Sequence, residues 1–417
     1  MQVKVILNSV QKFKSFVYGG VKWVQGGAER VLEIEVRPRA NARAICSVCG
    51  QACAGYDRLP ARRFEFVPLW NIKVFLVYAP RRVECPTCGV RVEHMPWSAG
   101  KSALTQAYAW FLARWAKRLS WKEVAQVFRT SWDSVYRSVE MAVAWGREHM
   151  DLSGIESIGV DEIARARGQT YATLVYQIDG RCKRLLWVGE KRTIKTLLRF
   201  FRWLGQQRSQ KLKAVCSDMW RPYLKVIAKK ASQAVNILDR FHIMAHINKA
   251  IDEVRAQEAR QLKASGYEPV LTKTRWLLLK RPENLSQPQE GRLAELLKYN
   301  LKSVRSYLLK EEFQFFWGYI SPHWAGQFLD QWCIKTMRSK IEPMKKVARM
   351  LRNHRTLLLN WFRAKGQLSS GVVEGFNSKA KLISKRAYGF RTFHAMQTAL
   401  YHGLGNLPEP QFTHRFC

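Results

Sequence analysis

Residues 158–180 read IGVDEIARARGQTYATLVYQIDG, and the organisation of the chain follows from them. The run Ile158-Gly-Val-Asp161 is apolar and ends on a carboxylate. Thr170–Ile178 is a second run, rich in β-branched and aromatic residues, which suits a buried strand. Further on come Leu185–Val188, an amphipathic stretch from Thr193 to Leu204, Ala214-Val-Cys-Ser-Asp218 and Val235-Asn-Ile-Leu-Asp239. The order is strand, strand, strand, helix, strand, helix, strand. Residues 151–250 hold eight acidic residues, and three of them, Asp161, Asp218 and Asp239, end apolar runs. Carboxylates at strand ends converge on one edge of a sheet.

This order is ribonuclease-H-like, an α/β arrangement with Asp161 on the first strand and Asp218 just after the fourth. Such a fold closes with a helix that brings a third carboxylate beside the first two. Between residues 369 and 408 the one acidic residue is Glu374, in SSGVVEGFNSKAKLISKRAYGF, where Asn377, Ser378, Lys381 and Lys385 follow at helical offsets and share its face. Three clustered carboxylates raise each other's pKa unless cations neutralise them. Two Mg²⁺ ions, held by Asp161, Asp218 and Glu374, meet that need and suit in-line phosphoryl displacement.

Upstream, Cys46-Ser-Val-Cys49-Gly and Cys85-Pro-Thr-Cys88-Gly are matched knuckles separated by 35 residues. Four thiolates at this spacing predict one structural Zn²⁺ in a zinc ribbon, with Arg63–Pro68 and Asn71–Ala79 as a hairpin between the knuckles. Cys53 and His94 are spare ligand candidates, and Cys182, Cys216, Cys333 and Cys417 read as ordinary thiols. After Pro96 the period becomes helical. Leu104, Tyr108, Phe111, Leu112 and Trp115 share a face, Ser120-Trp-Lys-Glu123 reads as a capping box, and a break at Phe128–Ser131 leads into Trp132–Ala144. This predicts a helix-turn-helix whose second helix offers Trp132, Asp133, Ser134 and Arg137 to DNA.

The 417 residues carry 70 Lys+Arg against 32 Asp+Glu, a net charge of +38, with 47% hydrophobic and 12% aromatic residues. A chain so rich in core formers is globular, and a polycation of this size meets a polyanion. The excess is spread over every part of the chain, which favours a nucleic-acid path over several modules rather than a membrane patch. Neither a spanning apolar stretch nor a signal peptide is evident, so a cytoplasmic, nucleoid-associated protein is expected.

These residues resemble those of the acidic-triad (DDE) transposases of bacterial insertion sequences, specifically the ISL-three family. The likeness runs over nearly the whole chain through PRRVECPTCG, SWKEVAQVFRTSWDSVYRSV, GVDEIARARGQTYATLVYQIDG, RLLWVGEKRT, SDMWRPYLKVI, ILDRFHI, LKRPENL and GVVEGFNSKAKLISKRAYGF. It implies that Asp161, Asp218 and Glu374 are the catalytic triad, supported by Asp239, His242 and Lys381. It also implies that a helical insertion fills much of the stretch of 155 residues between Asp218 and Glu374. Within the insertion, residues 335–365 carry ten basic side chains and one acid, Glu342. Lys345, Arg349 and Arg352 line one face there as DNA contacts, opposite an apolar stripe of Met344, Val347, Leu351 and Leu358. Lys385 is a further DNA contact, and Trp220 and Trp324 are candidates for stacking on unpaired bases.

The expected layout is a zinc-ribbon region at 1–95, a helix-turn-helix domain at 96–150, the first part of the catalytic domain at 151–250, the helical insertion at 251–368, and the closing helix with the third carboxylate at 369–417. The expected activity is Mg-dependent cleavage and strand transfer on the double-stranded terminal inverted repeats and target DNA, by a homodimer or larger assembly without membrane association. The competing reading is a non-catalytic DNA-binding regulator or transposase remnant.

Overall fold

The structure is a computed structural model that describes residues 3–26, 29–98, 100–166, 170–180, 182–267, 270–364 and 371–411; Cys417 lies outside them. The chain forms two compact units, Met1–Asp151 with Ile383–Cys417, and Leu152–Leu382. No helix among the described residues is long and apolar enough to cross a membrane.

The first unit contains two four-stranded sheets. One runs in the order Phe16–Gly26, Glu29–Pro38, Ile72–Tyr78, Arg62–Leu69, with its central pair parallel. Phe64, Phe66, Val74, Leu76 and Tyr78 alternate inward, as period-2 patterning requires. Trp97, fully buried, meets the rings of Phe16 at 4.8 Å, Tyr78 at 5.3 Å and Phe64 at 6.2 Å. The hairpin expected between the cysteine knuckles therefore forms, but in this sheet. The cysteines are carried by the other one, built from Ala44–Ile45, Ala52–Arg58, Arg81–Cys85 and Gly89–Val92. The hairpin's apolar side chains form a broad face, and the first forty residues supply the strands that complete the sheet.

Helices α1 (Gln106–Trp115), α2 (Trp121–Val127) and α3 (Trp132–Glu148) follow. The Ser120–Glu123 capping box is formed in both directions, and Ser131 caps α3 through the Ser134 N–H at 3.0 Å. The turn between α2 and α3 is tight enough to hold Arg129 at φ 50°. Val124, Val135, Val139 and Ala142 are buried. The segment after Leu382 packs here too: His394 Nε2 lies 2.5 Å from Glu140, and Glu409 is paired with Arg114 at 2.7 Å and Lys117 at 2.8 Å. The stretch 369–417, expected as one closing piece, is thus divided between the two units.

The second unit is built on a five-stranded sheet of β1 (Ser157–Ala166), β2 (Thr170–Ile178), β3 (Lys183–Glu190), β4 (Ala214–Ser217) and β5 (Val235–Leu238), ordered β3-β2-β1-β4-β5. β1, β2 and β3 pair antiparallel; β4 pairs parallel with both β1 and β5. Helices α4 (Ile194–Leu204) and α5 (Arg221–Lys230) pack Leu197, Phe200, Phe201 and Ile227 onto Ile158, Val160, Val175 and Val215. A helical layer follows: α6 (Arg240–Ala264), α7 (Arg275–Leu279), α8 (Lys302–Gln314), α9 (Pro322–Arg338), α10 (Glu342–Asn353) and α11 (Arg355–Arg363). It has its own core around Ile247, Ile251, Phe313, Trp332, Met344 and Leu351. It meets the sheet where the Asn360 amide donates to the Asn236 carbonyl at 2.8 Å. The stripe read through Leu358 spans two helices, since α10 ends at Asn353 and Leu358 is buried on α11.

Helix α12 (Gly371–Arg386) covers the other face of β1. A Cβ on Gly159 would collide with the Val373 side chain. The bare backbone at Gly159 is what lets α12 approach the strand that carries Asp161.

Candidate active site and cysteine cluster

Period 2 along β1 sends Gly159 and Asp161 to the α12 face and Val160 and Glu162 to the α4/α5 face. The register places Leu174 opposite Asp161 and Tyr176 opposite Gly159. Asp218 and Asp239 each follow their strand by one residue. Because Ser217 pairs with Leu238, the two carboxylates leave neighbouring strand ends together. Asp239 also caps α6, accepting the Phe241 N–H at 2.7 Å, and its second oxygen lies 3.7 Å from His242 Nδ1.

A cleft of about 680 Å³ opens at this edge, and Asp161, Asp239, His242, Glu374 and Lys381 all line it. Arg240, Arg281, Lys310 and Trp317 of the helical layer line it as well. Lys310 is buried and holds the chain after α7 in place, donating to the carbonyls of Leu278 at 2.9 Å and Lys280 at 3.2 Å. Burial raises the Asp161 pKa, as do the charges of Asp239 and Asp218, while His242 and the Glu162 N–H oppose the rise.

Asp218 does not line the cleft. Its carboxylate is engaged by Arg192 at 2.5 Å and by the Trp220 N–H at 3.0 Å. Arg192 also reaches Glu162 at 3.0 Å and lies 4.5 Å over the Trp220 ring. Glu162 is pushed up to about 8 by burial and by the Asp218 charge, against the pull of Arg192. A single guanidinium is therefore shared by two carboxyl groups next to Asp161.

Three groups at this site were not picked out by sequence pattern. Arg192 sits in the KRT run after β3, Glu162 follows Asp161, and Tyr176 looks like one more aromatic strand residue. Only the sheet register brings them to the carboxylates. Of the tryptophans expected near DNA, Trp220 is occupied by Arg192, Trp324 is exposed against His323, and the one lining the cleft is Trp317.

Among the remaining expected contacts, Trp132 is exposed and stacks on Tyr136 at 5.3 Å, and Arg137 pairs with Asp133 at 2.9 Å. Ser134 donates its backbone N–H to Ser131. Lys345 and Arg349 both lie on Glu342, at 3.1 and 2.8 Å, and Arg352 is exposed. Lys385 is exposed near the end of α12.

In the first unit the sulfurs of Cys46, Cys49, Cys85 and Cys88 all lie within 4.8 Å of one another. Burial works against ionising Cys85, but the N–H groups of Thr87 and Cys88 hold it down at about 6. Burial and the neighbouring Cys49 and Cys85 sulfurs push Cys88 up to about 12. Such crowded thiols suit a thiophilic cation. Cys53 and His94 are not part of the set.

Residues 158–400 match a transposase family, that of the DDE enzymes of ISL-three elements. The chain is 30% identical to the transposase for insertion sequence element IS1001 of Bordetella parapertussis, over 93% of this chain and 94% of that one. It is 28% identical to the transposase for insertion sequence element IS1557 of Mycobacterium tuberculosis, over 89% and 88% of the two chains. DDE enzymes of this kind bind DNA and use divalent metal ions. On this match and these relatives, the chain belongs to the ISL-three family of DDE transposases and is a DNA transposase.

Proposed function

We propose that the second unit is a ribonuclease-H-like catalytic domain, interrupted by a helical insertion at 251–368, in which Asp161, Asp218 and Glu374 hold two Mg²⁺ ions. The observation that carries this reading is the shared cleft, where Asp161 and Glu374 meet Asp239, His242 and Lys381. The donor set fits: all are hard oxygen ligands, and Asp161 is raised first by burial and then by the Asp239 and Asp218 charges, both of which a cation would relieve. When bound, such ions supply the acidity that ionises the attacking water or 3′-hydroxyl and offset the charge that develops on the phosphate.

The chain's own residues do the rest. Arg192 holds Asp218 and Glu162, and it would have to give up the Asp218 oxygen for that carboxylate to serve as a ligand. Lys381, two turns past Glu374, meets the phosphate that lies between the carboxylates and the cleft mouth. Arg240 and Arg281, which also line the cleft, hold the backbone on either side. His242, steadied by Asp239, positions the strand that is cut.

The first unit serves as the recognition module. Four cysteines bind one structural Zn²⁺. Helices α2 and α3 act as a helix-turn-helix on the terminal inverted repeats, with Trp132, Ser134 and Arg137 facing the duplex. The Asp133–Arg137 pair is exposed, and such pairs contribute at most about 1 kcal/mol, so Arg137 is easily given over to a phosphate. Lys345, Arg349, Arg352 and Lys385 grip element-end or target DNA. Two protomers or more synapse the two ends, in the cytoplasm and on the nucleoid.

The test is cleavage and joining of labelled terminal repeats with Mg²⁺. Asp161→Asn and Glu374→Gln are expected to bind the repeats and leave them uncut, and undiminished cutting by either refutes the assignment. Binding without any cutting by the parent chain favours the regulator reading instead.

A further inference from the structure

We infer that Asn377 is the positioning residue of the site: it sets the Asp161 carboxylate and, through Tyr176, fixes the height of Glu374 above the sheet. The inference rests on the reading of Asp161 and Glu374 as metal ligands. Asn377 lies one turn beyond Glu374 on α12 and is 6% exposed. Its Nδ2 donates to Asp161 Oδ2, and its Oδ1 accepts from the Tyr176 hydroxyl at 2.9 Å. Tyr176 is fully buried, so that hydroxyl has no water to turn to.

The direction of the amide is settled by chemistry. An ionised carboxylate only accepts, so the Asn377 NH₂ must face Asp161 and its carbonyl must face the one donor left, Tyr176. Asp161 Oδ1 takes the Glu162 N–H at 2.8 Å. Each carboxylate oxygen then carries one protein donor and keeps lone-pair capacity for the cleft. An amide suits this place because it donates without a charge, whereas Lys or Arg would compete with a divalent ion for the same oxygen.

The same contacts fix α12 against the sheet. Phe376, the residue before Asn377, stacks on Tyr176 with centroids 4.9 Å apart and planes 12° apart. Val373, the residue before Glu374, fills the space over Gly159. Glu374 itself is exposed, and among the described residues no side chain holds it. Its position relative to Asp161 is therefore set by the neighbours on either side, and Asn377 alone among them touches Asp161 directly. Outer-shell donors of this kind typically change metal affinity or activity by about 10–100-fold when removed.

The test is Mn²⁺ binding to the full chain without DNA, followed by electron paramagnetic resonance, alongside the Mg²⁺ dependence of cleavage and a thermal melt. Asn377→Ala is expected to weaken Mn²⁺ binding by about 10–100-fold and to move the Mg²⁺ requirement upward by a like factor. Tyr176→Phe, which keeps the ring stack, is expected to move both in the same direction by less. Lower melting temperatures with Mn²⁺ affinity unchanged in Tyr176→Phe and in folded Asn377→Ala mean a purely structural pair and overturn the inference. Asp161→Asn separates the two levels. Weakened Mn²⁺ binding there, with none in the other two, sinks the positioning role alone, and unchanged binding there sinks the reading of the site on which it stands.

Discussion

The cysteine cluster and the carboxylate cluster are built in opposite ways. Four sulfurs come from two short turns of one small sheet and lie within 4.8 Å of one another. The carboxylates come from the middle of β1, from just after β4 and β5, and from a helix more than a hundred residues further on, and among the described residues they do not form so tight a group. The first cluster sits where the surrounding core is small, with Ala44 and Val83 as its buried apolar neighbours. The second sits on a sheet whose faces are fully packed. In the one case a metal on the cluster would hold the local fold together; in the other the fold holds the cluster.

The largest expected effect tests that contrast. Cys46→Ser should abolish zinc binding and unfold the cysteine-bearing sheet, since a structural zinc contributes folding energy outright. Zinc content per chain and hydrogen exchange over residues 44–58 and 81–92 read this directly, and a protected sheet without zinc breaks the comparison. Asp161→Asn should do the reverse in metal-free protein. Removing a charge repelled by Asp239 and Asp218 should leave the melting temperature unchanged or slightly higher while cutting is lost.

A smaller effect sharpens the second half. Gly159→Ala places a methyl against Val373, and overpacking of this kind costs about 1–3 kcal/mol. The protein should still fold, but α12 is displaced from β1 and Glu374 moves with it. Cleavage should fall by about 100-fold, the loss that an ångström of misplacement brings, with repeat binding unchanged. Adding Val373→Ala should recover part of the loss, because it clears the space the new methyl needs.

The two clusters also differ in how far the sequence discloses them. Cys46–Cys49 and Cys85–Cys88 are legible because ligand spacing is local, and Ser120–Glu123 is legible because a capping box needs four residues. The strand order from Asp161 to Asp239 is readable for a similar reason, as three of the apolar runs end on a carboxylate, although β1 continues past Asp161 to Ala166. What local patterns could not supply was partnership. The hairpin at 62–78 gave no sign that its apolar face would be taken up by residues 16–38. Nothing in KRT marks Arg192 as the guanidinium bridging Glu162 and Asp218, and only the pairing of Tyr176 with Gly159 places a phenol beside Asn377. The division of 369–417 at residue 382 was equally hidden, because α12 is one unbroken helix whose last turn already belongs to the first unit, where Arg386 donates to the Arg118 carbonyl.

The smallest expected effect is a pH response of opposite sign in the two units. Burial and the nearby Lys117 charge lower His402 to about 3, against the Ala113 backbone. An unfolded histidine takes up a proton near pH 6.5, so the first unit loses stability as pH falls below that value. Glu162 is raised to about 8 from a usual 4.5. Its unfolded form releases a proton more readily than its folded form, so the metal-free second unit is most stable below about pH 4.5 and loses stability as pH rises toward 8. Each effect is on the order of 1–3 kcal/mol. Hydrogen exchange of metal-free protein at pH 5 and 7.5 should show protection moving from the second unit to the first as pH rises. His402→Leu should flatten the response of the first unit and Glu162→Gln that of the second. If both units respond alike, then Arg192 neutralises Glu162 more completely than its sharing with Asp218 implies, and the carboxylate edge is less strained than the crowding around Asp161 indicates.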